Sequence, residues 1–339
     1  MRSCARVLFL GLLCSGCSVE ADRRIDEVGV ASLSLHHRSE NATRKTLRRI
    51  GRLATVDTLA AAINAHDAAR FARVHSEAGS LDVVGFPISE GRAEIAARLN
   101  ELFAGFGDAE FGFDRIWLHD DAVIAEWVLR GTHTGAIGSI PPTEGVAGVR
   151  GASVMTFDAR GKVRNHVVYF DGVTVLSQLG IQAGPARPVA DMPDAPEVHH
   201  ARARPSARAQ ASWSQAFYDA FESGDAADIT PLLASDLLFE NLVEPGPRVG
   251  RDAFIDLFTD YTTAFPDCSI AKAGEWYIGD TAIVENVVDA THLGPLGPIP
   301  ATSRPVHLRF LDIVDIDEGR MTVGHTYTNY LDLFQQLGL

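Results

Sequence analysis

Apolar residues along this chain follow a helical rhythm and then a strand rhythm, and the whole succession is written twice. In the second half Trp213, Phe217 and Phe221 share one helical face, and Gly224-Asp225 breaks the pattern before a short second helix through Leu232-Leu233. A strand over Leu237–Asn241 leads to a helix that turns Phe254, Leu257 and Phe258 inward. The first half repeats this with Ile95, Leu99, Leu102 and Phe106. The period then falls to two, which predicts strands near 109–118, 122–134, 148–157 and 163–170, bounded by Gly, Asp-Asp or Asp-x-x-Gly turns. A short helix closes each half, at Val173–Leu179 and at Leu331–Leu337. Helices first and a meandering antiparallel sheet last predict an α+β layer arrangement.

The duplication is explicit in the residues. WLHDDAVIAEWVLRGTHTGAIGSIPPT, from Trp117, aligns without a gap with WYIGDTAIVENVVDATHLGPLGPIPAT, from Trp276. Asp121, Glu126, Thr132, His133, Gly135, Gly138, Ile140, Pro141 and Thr143 all recur 159 places on. The final strand and helix match at an offset of 158. Copy one is therefore expected over 52–182 and copy two over 206–339, joined by a Pro-, Ala- and Arg-rich linker at 183–205. His199 and His200 fall in that linker and are expected to be solvated and to bind nothing.

The N-terminus adds a destination. Arg2 and Arg6 precede an apolar run from Val7 to Leu13, too short to span a bilayer, and the run ends in Leu-Cys-Ser-Gly-Cys. Residues 1–17 thus read as an export signal, and small residues before Cys17 resemble a bacterial lipobox, although Leu13 stands one place early. The resemblance implies a lipid on Cys17 and a cell-envelope location, with a polar tether at 18–51 whose Arg44, Lys45, Arg48 and Arg49 could meet anionic lipid. The membrane is then met through the anchor alone. Cys268 is left as the single thiol of the repeats, expected as a small buried hydrophobe, and no thiolate metal cluster is possible. A net charge of −14 argues against nucleic acid as a partner.

A strand ending in Gly-Thr-His-Thr-Gly, a loop with Ile-Pro-Pro-Thr, a Gly-Lys turn and a last strand running into Tyr-Phe-Asp and Gln-Leu-Gly resemble the SnoaL-like polyketide cyclases and their ester cyclase relatives. The resemblance covers both copies. It implies the nuclear transport factor 2-like superfold, so that the chain becomes two tandem cone-shaped α+β barrel domains, each with helices on a curved sheet around a pocket. In that family an Asp at the end of the last long strand is an acid/base in ring closure, with neither metal nor cofactor. The matching residue is Asp171 in copy one, whereas copy two carries Asn329. Domains of the superfold often pair through the open sheet face, so the copies are expected to pack as an intramolecular pseudo-dimer.

Strand alternation puts Val163, Asn165, Val167, Tyr169 and Asp171 on one face, and Val123, Ala125, Trp127, Leu129 and His133 on another apolar face. His133 and Asp171 then look into one cavity, provided that no bulge shifts the register. In that case Asp171 is the base, His133 or Tyr169 polarises a carbonyl, and Trp127 is pocket wall; His292, His325, Tyr327 and Asn329 line the second pocket. A plainer alternative stands beside this one. Asp and Asn both cap helices, and the Thr-His-x-Gly histidines can be hydrogen-bonded loop formers. Glu126 and Glu285 face away from the pocket and read as sheet-surface residues, and the Ile-Pro loops as rigid connections. Two functions follow: an exported, membrane-tethered binder of a small hydrophobic molecule, or an acid/base enzyme acting on a small apolar carbonyl compound in copy one.

Overall fold

The computed structural model describes residues 43–182, 187–200 and 206–339. The signal, Cys17 and most of the polar tether lie outside the described residues. Residues 43–48 are helical, and 49–339 form one body. That body opens with helical residues 49–64 (α1), followed by α2 (Ala68–Val74), β1 (His75–Val83), β2 (Ser89–Glu90) and α3 (Gly91–Gly105). Four long strands follow: β3 (Glu110–Leu118), β4 (Ala122–Thr132), β5 (Val146–Phe157) and β6 (Val163–Phe170), closed by α4 (Gly172–Gln178). After the linker strand β7 (Glu197–His200), copy two repeats the plan. It runs through α5 (Ser206–Ser223), α6 (Ala226–Ile229), β8 (Leu233–Asn241), β9 (Arg248–Val249) and α7 (Arg251–Ala264). Strands β10 (Ser269–Ile278), β11 (Thr281–Thr291), β12 (Pro305–Asp317) and β13 (Arg320–Tyr327) lead to the closing helix α8 (Tyr330–Leu337).

Each copy is α+β, with helices laid on one face of a curved sheet. The sheets are open rather than closed barrels, in the orders β2-β1-β6-β5-β4-β3-β7 and β10-β11-β12-β13-β8-β9. They are not wholly antiparallel either, because β6 pairs in parallel with β1 and β13 with β8. Four strands do form the expected meander, and turn residues set its corners. Gly161 and Gly319 take positive φ, which any residue with a Cβ adopts only at a cost. Under the helices Ile95, Phe71, Val123, Ala125, Met155 and others make the core of copy one. Phe217, Phe254, Phe258, Leu237 and Met321 do so in copy two.

The other face of each sheet is buried too. A shared core joins equivalent positions of the repeats: Trp117 with Trp276, Ile124 with Ile283, Val154 with Ile313, and Tyr169 with Tyr327. The two sheets therefore pack face to face, and reciprocal contacts give the arrangement a pseudo-two-fold character. Arg150 Nη1 donates to Glu240 at 2.7 Å, and its counterpart Arg309 to Asp82 at 2.6 Å.

The linker differs from expectation. Residues 197–200 pair in parallel with β3, and the His199 ring stacks on Trp117 at 5.2 Å. Its earlier part crosses the sheet where side chains are missing: a Cβ at Gly148 would meet Val189 at 2.7 Å, and one at Gly112 would meet Pro193 at 3.0 Å. Those contacts explain how a segment without an apolar period is held in place.

Candidate functional site

One residue decides which side chains share a cavity. On β6, Val163 lies opposite Phe157 and Asn165 opposite Thr156, so Arg164 is an extra residue and the alternation inverts. Thr322 does the same on β13. Beyond these bulges Val167 and Tyr169 point into the inter-copy core with Ile124 and Val154, while Trp127 remains in the interior core. The faces that alternation alone joined are thus opposite faces of the sheet.

Tyr169 and Tyr327 are accordingly not pocket walls. Each reaches across to the other copy, Tyr327 donating to Glu126 Oε1 at 2.8 Å and Tyr169 to Glu285 Oε1 at 2.6 Å. Glu126 and Glu285 do face away from the interior, but they are buried by the opposite sheet rather than solvated. His325 stands in the same network, with Nδ1 2.7 Å from Glu126 Oε1 and 2.8 Å from Arg115 Nη2. Burial alone would raise the Glu126 carboxyl, yet His325 and Arg115 beside it hold it far below the usual carboxylate range.

Asp171 and Asn329 sit at the starts of α4 and α8. Asp171 accepts from Val173 N and Thr174 N of its own helix and from the Thr174 hydroxyl, and it also accepts from Tyr330 N of the other copy at 3.0 Å. Asn329 answers in kind: Oδ1 accepts from Leu331 N and, across the interface, from Gly172 N, both at 3.1 Å, while Nδ2 donates to Val84 O. Burial pushes the Asp171 carboxyl up to about 6, against the bonds from Thr174 and Val173 that favour its charged form. His133 and His292 are fully buried, each with Nδ1 3.1 Å from a loop threonine hydroxyl, Thr143 and Thr302. The backbone of each is tied to the same loop, so both histidines brace the connection that follows β4 and β11.

In copy one the Trp127 ring takes up part of the interior. Trp127 lies flat against Gly151, where a Cβ would come within 2.3 Å of the ring. Its Nε1 donates to Ser153 Oγ at 2.9 Å, and Ser153 Oγ lies 3.1 Å from His166 Nε2. His166 Nδ1 is 3.3 Å from His75 Nε2, and His75 Nδ1 is 3.2 Å from Phe71 O. The chain runs one way only: Trp127 to Ser153, to His166, to His75, to a backbone carbonyl, with every proton assigned by the next acceptor. Desolvation lowers His75 to about 4 and His166 well below its ordinary value, so both are neutral.

Copy two is built on the same frame with different contents. Asn286 stands where copy one has Trp127, Phe310 where it has Gly151, and Asp312 where it has Ser153. Copy two holds a cavity of about 160 Å³, walled chiefly by apolar side chains that include Phe217, Phe221, Phe239, Phe254 and Phe310. Asp312, Tyr218, Asn241 and Thr326 also line it. Tyr218 donates to Asp312 Oδ2 at 2.7 Å and Thr326 to Oδ1 at 2.5 Å, while Asn286 Nδ2 donates to Tyr218 Oη at 2.9 Å. Desolvation raises Asp312 to about 6 despite the bonds from Thr326 and Tyr218. Asp312 was not among the residues expected to form a site. The signal was a lone charge inside an apolar strand, Leu311-Asp312-Ile313-Val314. Half-buried Cys268, its thiol pushed up first by burial, forms part of the same wall. Among the described residues no group of three or more His, Cys, Asp or Glu side chains is placed to hold a metal ion.

The model of one protein family, the SnoaL-like polyketide cyclases, matches residues 54–179 and again 212–337. Solved structures similar to the chain include IdmH from Streptomyces antibioticus, 24% identical, with 38% of this chain and 99% of that one covered at a TM-score of 0.34. TsrD from Streptomyces laurentii is 21% identical over 39% of this chain and 96% of its own, at a TM-score of 0.36. AclR from Streptomyces galilaeus is 18% identical over 38% and 95%, at 0.35. A comparison with curated proteins found no match.

Proposed function

Since the chain belongs to the SnoaL-like polyketide cyclase family, whose model covers most of both copies, we propose that it binds a small, mainly apolar molecule in the cavity of copy two. The observation that carries this reading is the contrast between the copies. Copy one places the Trp127 ring in its interior where copy two carries Asn286, and copy two holds a cavity of about 160 Å³ walled by phenylalanines. A void of ~150 Å³ with apolar walls is enough to take up benzene. Apolar surface removed from water supplies the affinity, and the few polar groups in the wall supply orientation.

In this reading Asp171 is a structural cap rather than a general base. A carboxylate offers about four lone-pair positions, and Val173, Thr174 (twice) and Tyr330 occupy as many. The segment before residue 43 completes the proposal: export through residues 1–17 and lipid attachment at Cys17 would hold the binding body at a membrane surface.

Binding is tested by thermal unfolding with and without saturating toluene. We expect the Tm to rise by a few degrees, and to stay put in Ala290→Phe, which fills the cavity. No rise in the wild type would overturn the reading. For the anchor, Cys17→Ser is expected to abolish incorporation of labelled palmitate and to release the protein from the membrane fraction.

A further inference from the structure

The polar corner of the copy-two cavity is unbalanced in a way that identifies its occupant further. Asp312 is buried and, among the described residues, has no cationic partner: its hydrogen bonds come from the Tyr218 and Thr326 hydroxyls and, at 3.4 Å, from Asn286 Nδ2. Among the described residues no lysine, arginine or histidine lines the cavity. Lys272, whose Nζ lies 5.6 Å from the Tyr218 ring centroid, is engaged with Glu275 at 3.3 Å.

The donors around Asp312 are all committed. The Tyr218 and Thr326 protons point at Asp312, and Asn286 Nδ2 is shared by Tyr218 Oη, Val284 O and Asp312. What remains is acceptor capacity in the wall: a spare lone pair on Asp312, and the carbonyl oxygen of Asn241, buried and without a partner. Asn241 lines the cavity beside Tyr261, to which its Nδ2 donates at 3.0 Å. Unmet buried acceptors next to an uncompensated carboxylate are costly, and a ligand that brings donors and positive charge relieves both costs together. The phenylalanine walls favour a cation as well, through the negative faces of their rings. A ketone or an ester, which offers acceptors alone, would leave the same groups unmet.

We infer that the copy-two cavity is an amine site, taking a protonated primary amine on a small apolar body with its ammonium on Asp312 and the free Asn241 oxygen. This rests on the cavity-binding reading above and deepens it. No bond is made or broken.

The test is isothermal titration of the intact mature protein at pH 7.5 with benzylamine, and with toluene as the body without the ammonium. Benzylamine is expected to bind at least tenfold more tightly than toluene. In Asp312→Asn the benzylamine affinity should fall at least tenfold while toluene binding is unchanged. Toluene binding as well as or better than benzylamine in the wild type overturns the amine assignment and leaves the apolar-binding reading standing; neither compound binding overturns both. The wild-type comparison decides the matter even if the variant does not fold.

Discussion

At Asp171 one side chain closes two helix ends that belong to different copies, so its stabilising effect is that of two caps. Replacing Asp171 by Ala should cost about 2–3 kcal/mol in urea unfolding, while Asn, which still offers one acceptor oxygen, should cost about 1 kcal/mol. The difference between the copies has a physical reason at this scale: Asn329 also donates to Val84 O, which a carboxylate cannot do. His75 and His166 are the second residue-scale case. Their folded pKa values lie below the ordinary histidine value, His75 at about 4, so the unfolded chain binds more protons between pH 4 and 6.5. Their contribution is complete above pH 6.5 and is lost as pH falls through that window. Asp171 and Asp312, both raised to about 6, act in the opposite direction, gaining stability as pH falls. The clean measurement is therefore the unfolding free energy of wild type minus that of His75→Gln. It should fall by about 2–3 kcal/mol between pH 7.5 and 4.5.

Among the elements, the last strand of each copy carries the decisive irregularity. The bulges at Arg164 and Thr322 turn the remainder of β6 and β13 over, aiming Tyr169, His325 and Tyr327 at the partner sheet instead of the interior. Strand β4 matters in a different way, since its Trp127 places a ring in the interior where β11 carries the smaller Asn286. Trp127→Ala is expected to cost about 3–5 kcal/mol and to open a void in copy one. Urea unfolding reads the first effect. A second toluene-binding event, with a larger rise in Tm than in the wild type, reads the other.

At the scale of the molecule the two sheet faces bury charge as well as apolar surface. Glu126 is 1% exposed and holds Arg115, His325 and Tyr327 together across the interface, whereas Glu285 is 9% exposed with Arg309 at a looser 3.9 Å. Removing one partner of a buried pair leaves the others uncompensated, typically a loss of about 3–5 kcal/mol. Glu126→Leu should therefore show a loss in that range by equilibrium unfolding, and Glu285→Leu a smaller one. Equal losses would contradict the asymmetry of the two networks. The copies thus share a frame but fill it differently, with the Trp127 ring inside one and a cavity of about 160 Å³ inside the other.

The duplication, the helix-then-strand order and the four-stranded meander were legible in the residues, because periodicity, turn chemistry and self-similarity are local properties that survive any packing. So was the place of Asp171 and Asn329 at a helix start. The direction of the last strand's side chains was not, because a single inserted residue inverts every position after it and leaves no mark on composition. Glu126 and Glu285 looked like surface residues for a related reason. A sheet buried on both faces needs a partner to cover the second, and the identity of that partner is fixed by contacts 116 to 201 residues apart in the chain. What fills each interior is decided the same way. Trp127 and Asn286 are both compatible with a strand, and whether the ring at that position can lie in the interior depends on the neighbour across the sheet, Gly151 in copy one and Phe310 in copy two.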